Sequence, residues 1–212
     1  METLDTQDFK AIIGIITNKM NCEKQKLTQL DGIFGDGDLG LTMEKGFMAA
    51  KEALATDDEP DIGKLCMKIG AAIAKSAPST MGTLIASGFL SGGKAVVGKN
   101  TLCLEGLTSF FNSFTQGVAN RGKASVGEKT LIDVLAPFTS FLADALAKEL
   151  SLEQTFNLSR QVIEDSVDST RNMVAKHGRI AYHREKAIGT EDPGAVAVAI
   201  MLKGFTEYIV KA

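Results

Sequence analysis

The chain has 212 residues, 44% of them hydrophobic, which is enough to bury a substantial core and leaves one large domain or two small ones open. Its net charge is −3, with basic and acidic residues interspersed and no run of Lys or Arg longer than two, so it offers no broad electropositive face to a nucleic-acid backbone. The N-terminal METLDTQDFK is acidic where a signal peptide is basic and apolar, and no stretch approaches about 20 consecutive apolar residues, so a cytoplasmic protein without a membrane span is expected.

In chain order, residues 7 to 26 place Phe9, Ile12, Ile13, Ile16 and Met20 at steps of three and four, the spacing of an amphipathic helix. Similar patterns predict helices over roughly 40 to 56, 61 to 75 and 80 to 97. The spacing returns in Leu107, Phe110, Phe111, Phe114 and Val118, then in Leu131, Leu135, Phe138, Leu142 and Leu146, and in Leu152, Phe156, Ile163, Val167 and Val174. A last helix is predicted over 194 to 211. Short connections and no Pro/Ser-rich linker favour a single all-α domain spanning 1 to 212, an eight-helix antiparallel bundle or closed barrel. Cys22, Cys66 and Cys103 are odd in number, widely spaced and outside any C-x-x-C pattern, so reduced thiols are expected.

Two connections combine glycine, carboxylates and a helix start: Leu30 to Gly40, and Ile188 to Gly194. In the first, Asp31, Asp36 and Asp38 form D-x4-D-x-D among glycines that let the backbone aim several oxygens at one point. Carboxylates this close repel unless solvated or bridged by a cation, and hard oxygen donors favour Mg²⁺ or Ca²⁺ over zinc. An EF-hand needs a closing glutamate at its twelfth place; counted from Asp36, that place holds Phe47, which favours Mg²⁺. An ordinary turn with Asp38 capping the next helix accounts for the same residues without a metal.

Ser76 to Thr83 precedes an apolar helix with small residues, a place where hydroxyls and free amides hold phosphate oxygens, or where a cap simply starts a packed helix. There is no G-x-x-x-x-G-K-[ST] and no G-x-G-x-x-G after a strand, so neither a P-loop nor a dinucleotide fold is supported. Arg121 to Asp133 offers flexible backbone and hydroxyls before a helix, with Thr130 near its cap. Arg179 has the donor fork to neutralise a phosphate, and Asp192, before Pro193 and Gly194, either orients a ligand or caps the last helix. His177 and His183 have no metal-ligand or nucleophile partner at a recognisable spacing.

Taken together, LDGIFGDGDLGLTMEKGF from Leu30, SAPSTMGT from Ser76, RGKASVGEKTLIDV from Arg121 and GRIAYHREKAIGTEDPGA from Gly178 resemble the ADP-binding L subunits of dihydroxyacetone kinases, in order and over nearly the whole chain. The resemblance implies an eight-helix barrel with the nucleotide and two Mg²⁺ ions at one end. It assigns Asp31, Asp36 and Asp38 as metal ligands. It places Leu39, Gly40, Leu41, Thr42, Ser76, Ala77, Ser79, Thr80, Gly122, Leu131, Arg179, Asp192, Pro193 and Gly194 around ADP or ATP, with Arg179 also screening charge in the transfer. It further implies a phosphohistidine carrier that rephosphorylates bound ADP, and a separate K subunit that holds the ketone. Direct use of ATP on another small sugar, such as a four-carbon ketose, and a non-catalytic Mg-ADP sensor acting on a regulator are the competing readings. Leu39 and Thr42 stand where the family commonly has histidine and asparagine. The Ser76 to Ser79 turn departs from G-A-S-G-P, Glu128 replaces aspartate, and Lys186 replaces arginine.

Overall fold

A computed structural model describes residues 2–211. Its eight α-helices are α1 (Thr6–Gly32), α2 (Leu39–Leu54), α3 (Ile62–Ser76), α4 (Thr80–Ala95), α5 (Leu104–Gly122), α6 (Ile132–Ala147), α7 (Leu152–Ser169) and α8 (Pro193–Lys211). Two 3₁₀ segments, Thr170–Asn172 and Arg179–Ala187, lie between α7 and α8. The described residues form no named strand; Leu4 and Leu102 make one isolated bridge. The all-helical expectation holds.

Local chemistry sets most helix starts. The Asp5 carboxylate accepts from Gln7 and Asp8 amides in a capping box, Ser151 and Gln154 form another, and Asp61 and Ser79 accept from amides in the first turns of α3 and α4. Such side-chain oxygens satisfy donors that the helix itself leaves unpaired, each worth about 1 kcal/mol.

Every helix packs against its neighbours in sequence, and α8 returns to pack against α1, closing the ring. The interior is filled by phenylalanines from seven helices, among them Phe9, Phe89, Phe110, Phe111, Phe138 and Phe205, whose neighbouring ring centroids lie 5.0 to 6.2 Å apart, mostly edge to face. Edge-to-face contacts add roughly 0.5–1.5 kcal/mol each beyond the area they bury. The small residues of α4 make room for this layer: a Cβ on Gly88 would sit 2.5 Å from the Phe114 ring.

Two expected boundaries shift. Helix α1 runs past residue 26 to Gly32, so Asp31 belongs to its last turn and not to the loop. Helix α7 stops at Ser169 and not near Val174. The cause lies in the hydrogen bonds: the Thr170 carbonyl accepts from Lys129 Nζ and the Met173 amide, and Thr170 Oγ1 is taken by Val167 and Asp192. Val174 is consequently exposed.

By length and hydropathy α8 is one helix among the described residues able to cross a membrane, but 67% of its apolar window is buried within the bundle. Its Val198, Met201, Leu202 and Phe205 have the burial of a central core helix.

The topology fixes where function can gather. With successive helices antiparallel, the connections α1–α2, α3–α4, α5–α6 and α7–α8 fall at one end of the barrel. These are the four connections singled out in the sequence. At the opposite end lie the remaining three connections and both ends of the described chain.

Candidate metal and nucleotide site

At the first of these ends, Asp31, Asp36 and Asp38 each offer a carboxylate oxygen, and these oxygens lie within 4.8 Å of one another. Asp31 organises the group. Its carbonyl accepts from the Gly35 amide at 2.6 Å and the Phe34 amide at 3.3 Å, and its Oδ2 accepts from the Asp38 and Leu39 amides at 3.1 and 3.3 Å. Asp31, not Asp38, therefore supplies the side-chain cap of α2; Asp38 occupies the cap position and makes no such bond. The capping alternative for Asp38 is thus corrected. The tight fold of the loop over Asp31 requires glycine at 35, where a Cβ would stand 2.4 Å from Asp31 Oδ1.

Burial raises the Asp38 carboxyl above its ordinary value, and the charges of Asp36 and Asp31 raise it further while Arg179 opposes them. Arg179 Nη2 lies 2.7 Å from Asp36 Oδ2, placing one positive charge beside three negative ones. Three converging hard oxygens with a surplus of negative charge fit a magnesium ion that completes its shell with water and phosphate oxygens.

Beside the carboxylates opens a cleft of about 440 Å³. One wall is the start of α4, where Ser79 Oγ accepts from the Gly82 amide at 3.0 Å and Thr80 also faces the cleft. The first amides of a helix together with its dipole make this wall suited to phosphate. Leu39, Met81, Leu84, Leu131 and Ile180 supply apolar surface.

The start of α8 forms another wall. Asp192 Oδ2 accepts from the Ala195 amide at 2.7 Å, so this residue does cap its helix while lining the cleft. Burial pushes its carboxyl up to about 7, against the Ala195 and Gly194 amides and the charge of Lys129. The segment between α7 and α8 closes the cleft as a strap, turning at Gly178 (φ 69°) and carrying His177, Arg179 and Ile180 along it. His177 Nε2 pairs with Glu128 Oε2 at 2.7 Å. The Ser125 amide, His177 and Lys176 hold the Glu128 carboxyl down at about 2. His183 packs against Phe34 with ring centroids 4.9 Å apart and the rings tilted by 46°, joining the strap to the aspartate loop.

Of the residues expected from the sequence, Asp31, Asp36, Asp38, Leu39, Ser79, Thr80, Leu131, Arg179, Asp192, Pro193 and Gly194 line this cleft together. Gly40, Leu41, Thr42, Ser76, Ala77 and Gly122 do not. Gly40 is pressed on α1, where a Cβ would meet the Lys24 carbonyl at 2.1 Å, and Leu41 is exposed. The Thr42 amide is used by the Asp38 carbonyl, and Ser76 Oγ donates to the Ala72 carbonyl inside α3. Ala77 is buried, and Gly122 sits behind Leu84. Thr130 Oγ1 accepts from the Ile132 amide near the start of α6, in keeping with a cap.

Lys129 and His177 were not legible as cleft residues. Lys129 bonds to carbonyls 41 and 61 positions away, and Glu128 lies 49 positions from His177, so no local spacing announces either contact.

A family model described as the DAK2 domain matches residues 33–207. The chain is 34% identical over 181 residues to the ADP-binding subunit DhaL of the PEP-dependent dihydroxyacetone kinase of Escherichia coli (strain K12), covering 85% of this chain and 86% of that one. A similar subunit of dihydroxyacetone kinase 1 from Listeria innocua is 33% identical over 178 residues, covering 84% of each chain. An L-erythrulose kinase of Pectobacterium atrosepticum is 29% identical over 84% of this chain, which spans only 30% of that longer protein. Among solved structures, the dihydroxyacetone kinase of C. freundii in complex with AMP-PNP and Mg²⁺ superposes with a TM-score of 0.69 at 22% identity. That match covers 98% of this chain and 34% of the other, so the present chain spans about a third of the solved kinase and the likeness speaks for the fold. From the family match over most of its length, the relatives at 34% and 33% identity and the shared all-helical fold, this chain belongs to the DAK2-domain family.

Proposed function

We propose that this chain is the ADP-binding subunit of a dihydroxyacetone or related ketose kinase, and that its open end is the nucleotide site. The observation that carries this reading is the convergence of three carboxylates within 4.8 Å beside the start of α4, in one cleft lined by residues from four separated sequence segments. In this reading Asp31, Asp36 and Asp38 hold two Mg²⁺ ions, which when bound supply charge screening to the phosphates. Ser79, Thr80 and the first amides of α4 hold phosphate oxygens. Leu39, Leu131, Pro193 and Gly194 bound the rest of the nucleotide, while Gly40, Thr42, Ser76, Ala77 and Gly122 support this lining from behind and the exposed Leu41 lies outside it.

Arg179 is the catalytic residue of the proposal. Freed from Asp36 by a bound cation, its guanidinium can follow the phosphate charge as that charge redistributes during transfer. The strap carries Arg179 along the edge of the cleft, and Asp192 fixes the start of α8. Catalysis by this chain is positioning and charge neutralisation, without a covalent intermediate on its own side chains.

The phosphoryl donor in this scheme is a phosphohistidine carrier, and the acceptor is a ketone presented by a separate K subunit. Names of the relatives that specify PEP or phosphotransferase dependence support the donor. Exposed Ile33, Val126, Tyr182 and Ile188 on the connections at the open end offer apolar surface to a partner. The continuous core supports one domain over the whole chain, working in the cytoplasm with its partners. A second reading, direct ATP use on a four-carbon ketose, is favoured by the similarity to the erythrulose kinases.

The deciding experiment releases bound nucleotide from freshly purified protein by denaturation, with mass spectrometry and metal analysis of the supernatant beside an Asp36→Ala sample. ADP with about two magnesium ions per chain, absent from the variant, is the expected result. No nucleotide or magnesium after incubation with both overturns the proposal. Once binding is established, phosphorylation from a phosphocarrier compared with free ATP, and of dihydroxyacetone compared with erythrulose, separates the two readings.

A further inference from the structure

Lys129 is a buried cation that the transfer chemistry above does not use. Its side chain is 1% exposed and its backbone is held at φ 56°, a left-handed conformation that a lysine adopts only under constraint. Its Nζ donates to the carbonyl of Thr170, where α7 ends, and to that of Thr190, just before α8, both at 2.6 Å. One ammonium thus joins the two feet of the strap from inside. On the outer side, Arg171 donates from Nη1 to the Gly189 carbonyl at 3.0 Å and from Nη2 to Glu191 at 2.8 Å, and the Gly189 amide returns a bond to the Arg171 carbonyl.

We propose that Lys129 and Arg171 are positioning residues that clasp the feet of the strap, and that this clasp sets where Arg179 stands over the cleft. The argument is geometric. Between the clasped feet the other ties are the side chains of His177 and Lys176 and the Lys176 amide to Glu128, Arg179 to Asp36, the tilted contact of His183 with Phe34, and the small buried side chains of Ala175 and Ala187. Arg179 itself is largely exposed, so its own packing does not fix it. Its reach towards the carboxylates depends on where the chain leaves α7 and rejoins α8.

Lysine suits the inner position because its compact ammonium has three donors and tolerates two carbonyls at short range. A methionine of similar length fills the space, leaves the Thr190 carbonyl unpaired and the Thr170 carbonyl with the Met173 amide alone, and so unfastens the feet without opening a large cavity. The effect on nucleotide rests on the function proposed above; the effect on the strap does not.

The test is hydrogen–deuterium exchange of the nucleotide-free full chain together with calorimetric titration of Mg-ADP, for the wild type, Lys129→Met and Arg171→Ala. For Lys129→Met we expect exchange over 173–189 to accelerate at least tenfold, with α1 to α5 unchanged, and the Mg-ADP dissociation constant to rise at least tenfold. Wild-type exchange across the strap in Lys129→Met overturns the proposal. So does faster exchange with unaltered Mg-ADP affinity, because the clasp then holds the strap without positioning the site.

If Lys129→Met exchanges faster everywhere or fails to fold, the half-exposed Arg171→Ala decides: local acceleration supports the clasp and none overturns it. A wild type that binds no Mg-ADP refutes the nucleotide reading, and the clasp is then judged on strap exchange alone.

Discussion

Asp31 has two separable duties, and two substitutions pull them apart. As a cap it accepts the Asp38 and Leu39 amides through Oδ2. As a proposed ligand it contributes one negative charge to a cluster within 4.8 Å. Asp31→Asn keeps an acceptor oxygen and removes the charge; Asp31→Ala removes both. Loss of a cap costs about 1 kcal/mol, which in a chain of this size lowers the unfolding temperature by roughly 2–4 °C. Two unit charges about 4 Å apart interact by about 1 kcal/mol even in a water-like dielectric, so the loss of one carboxylate charge costs a divalent ion about 2 kcal/mol or more. That corresponds to a rise of about 30-fold in the dissociation constant. Thermal unfolding without metal is therefore expected to leave Asp31→Asn at or slightly above the wild type, since repulsion among the aspartates is relieved, and to place Asp31→Ala lower. Calorimetric titration with Mg-ADP is expected to show both variants weakened by about 30-fold or more. An Asp31→Asn protein that binds Mg-ADP within about threefold of the wild type refutes the ligand role, and equal unfolding temperatures for the two variants refute the capping role.

Further outcomes follow from the same geometry. Arg179→Ala removes an exposed ion pair with Asp36, so its unfolding temperature stays within about 1 kcal/mol equivalent of the wild type while Mg-ADP affinity falls at least about tenfold in calorimetry. Gly40→Ala drives a Cβ into the Lys24 carbonyl, backbone against backbone, and is expected to destabilise the protein by about 1–3 kcal/mol in chemical denaturation. Gly35→Ala disturbs Asp31 directly and is expected to abolish Mg-ADP binding. Asp192 has a folded pKa of about 7, above its ordinary 3.8, so its contribution to stability is full below 3.8 and is lost as pH rises through 7. The nucleotide-free protein should therefore melt at progressively lower temperature between about pH 4 and 7, and Asp192→Asn should flatten that slope; an unchanged slope removes Asp192 as its cause.

Helical periodicity reports which face of a segment is buried, and it was legible wherever burial is one-sided. Phe110, Phe111 and Phe114 on α5, and Leu135, Phe138 and Leu142 on α6, all lie in the core as their spacing requires. Helix ends are decided by a few hydrogen bonds, some of them distant in sequence, and there the reading failed. Asp31-Gly32 looks like a helix stop, yet α1 continues because buried Leu27 and the turn bonds at the Asp31 carbonyl favour another turn. Val174 continues the apolar rhythm of α7, but the Thr170 carbonyl is claimed by Lys129 from 41 positions away. No window along the chain contains that partner.

The site divides in the same way. The aspartates were legible because their chemistry is local: three carboxylates and the glycines that turn them towards one another occupy one short stretch, from the last turn of α1 to the start of α2. Residues whose place in the cleft depends on the strap, such as His177, were not, because their partners come from another connection. What unites them is helix parity. In an antiparallel ring every odd-to-even connection arrives at the same end, so an aspartate loop after α1, a serine-threonine turn after α3, a lysine after α5 and a strap after α7 meet without any sequence signal linking them. An insertion that reversed the direction of one helix would send its connection to the far end and dismantle the site while leaving each motif intact. Shared order and spacing of the four motifs therefore carry more weight for function than any one motif alone, since only together do they specify which end of the barrel is chemically equipped.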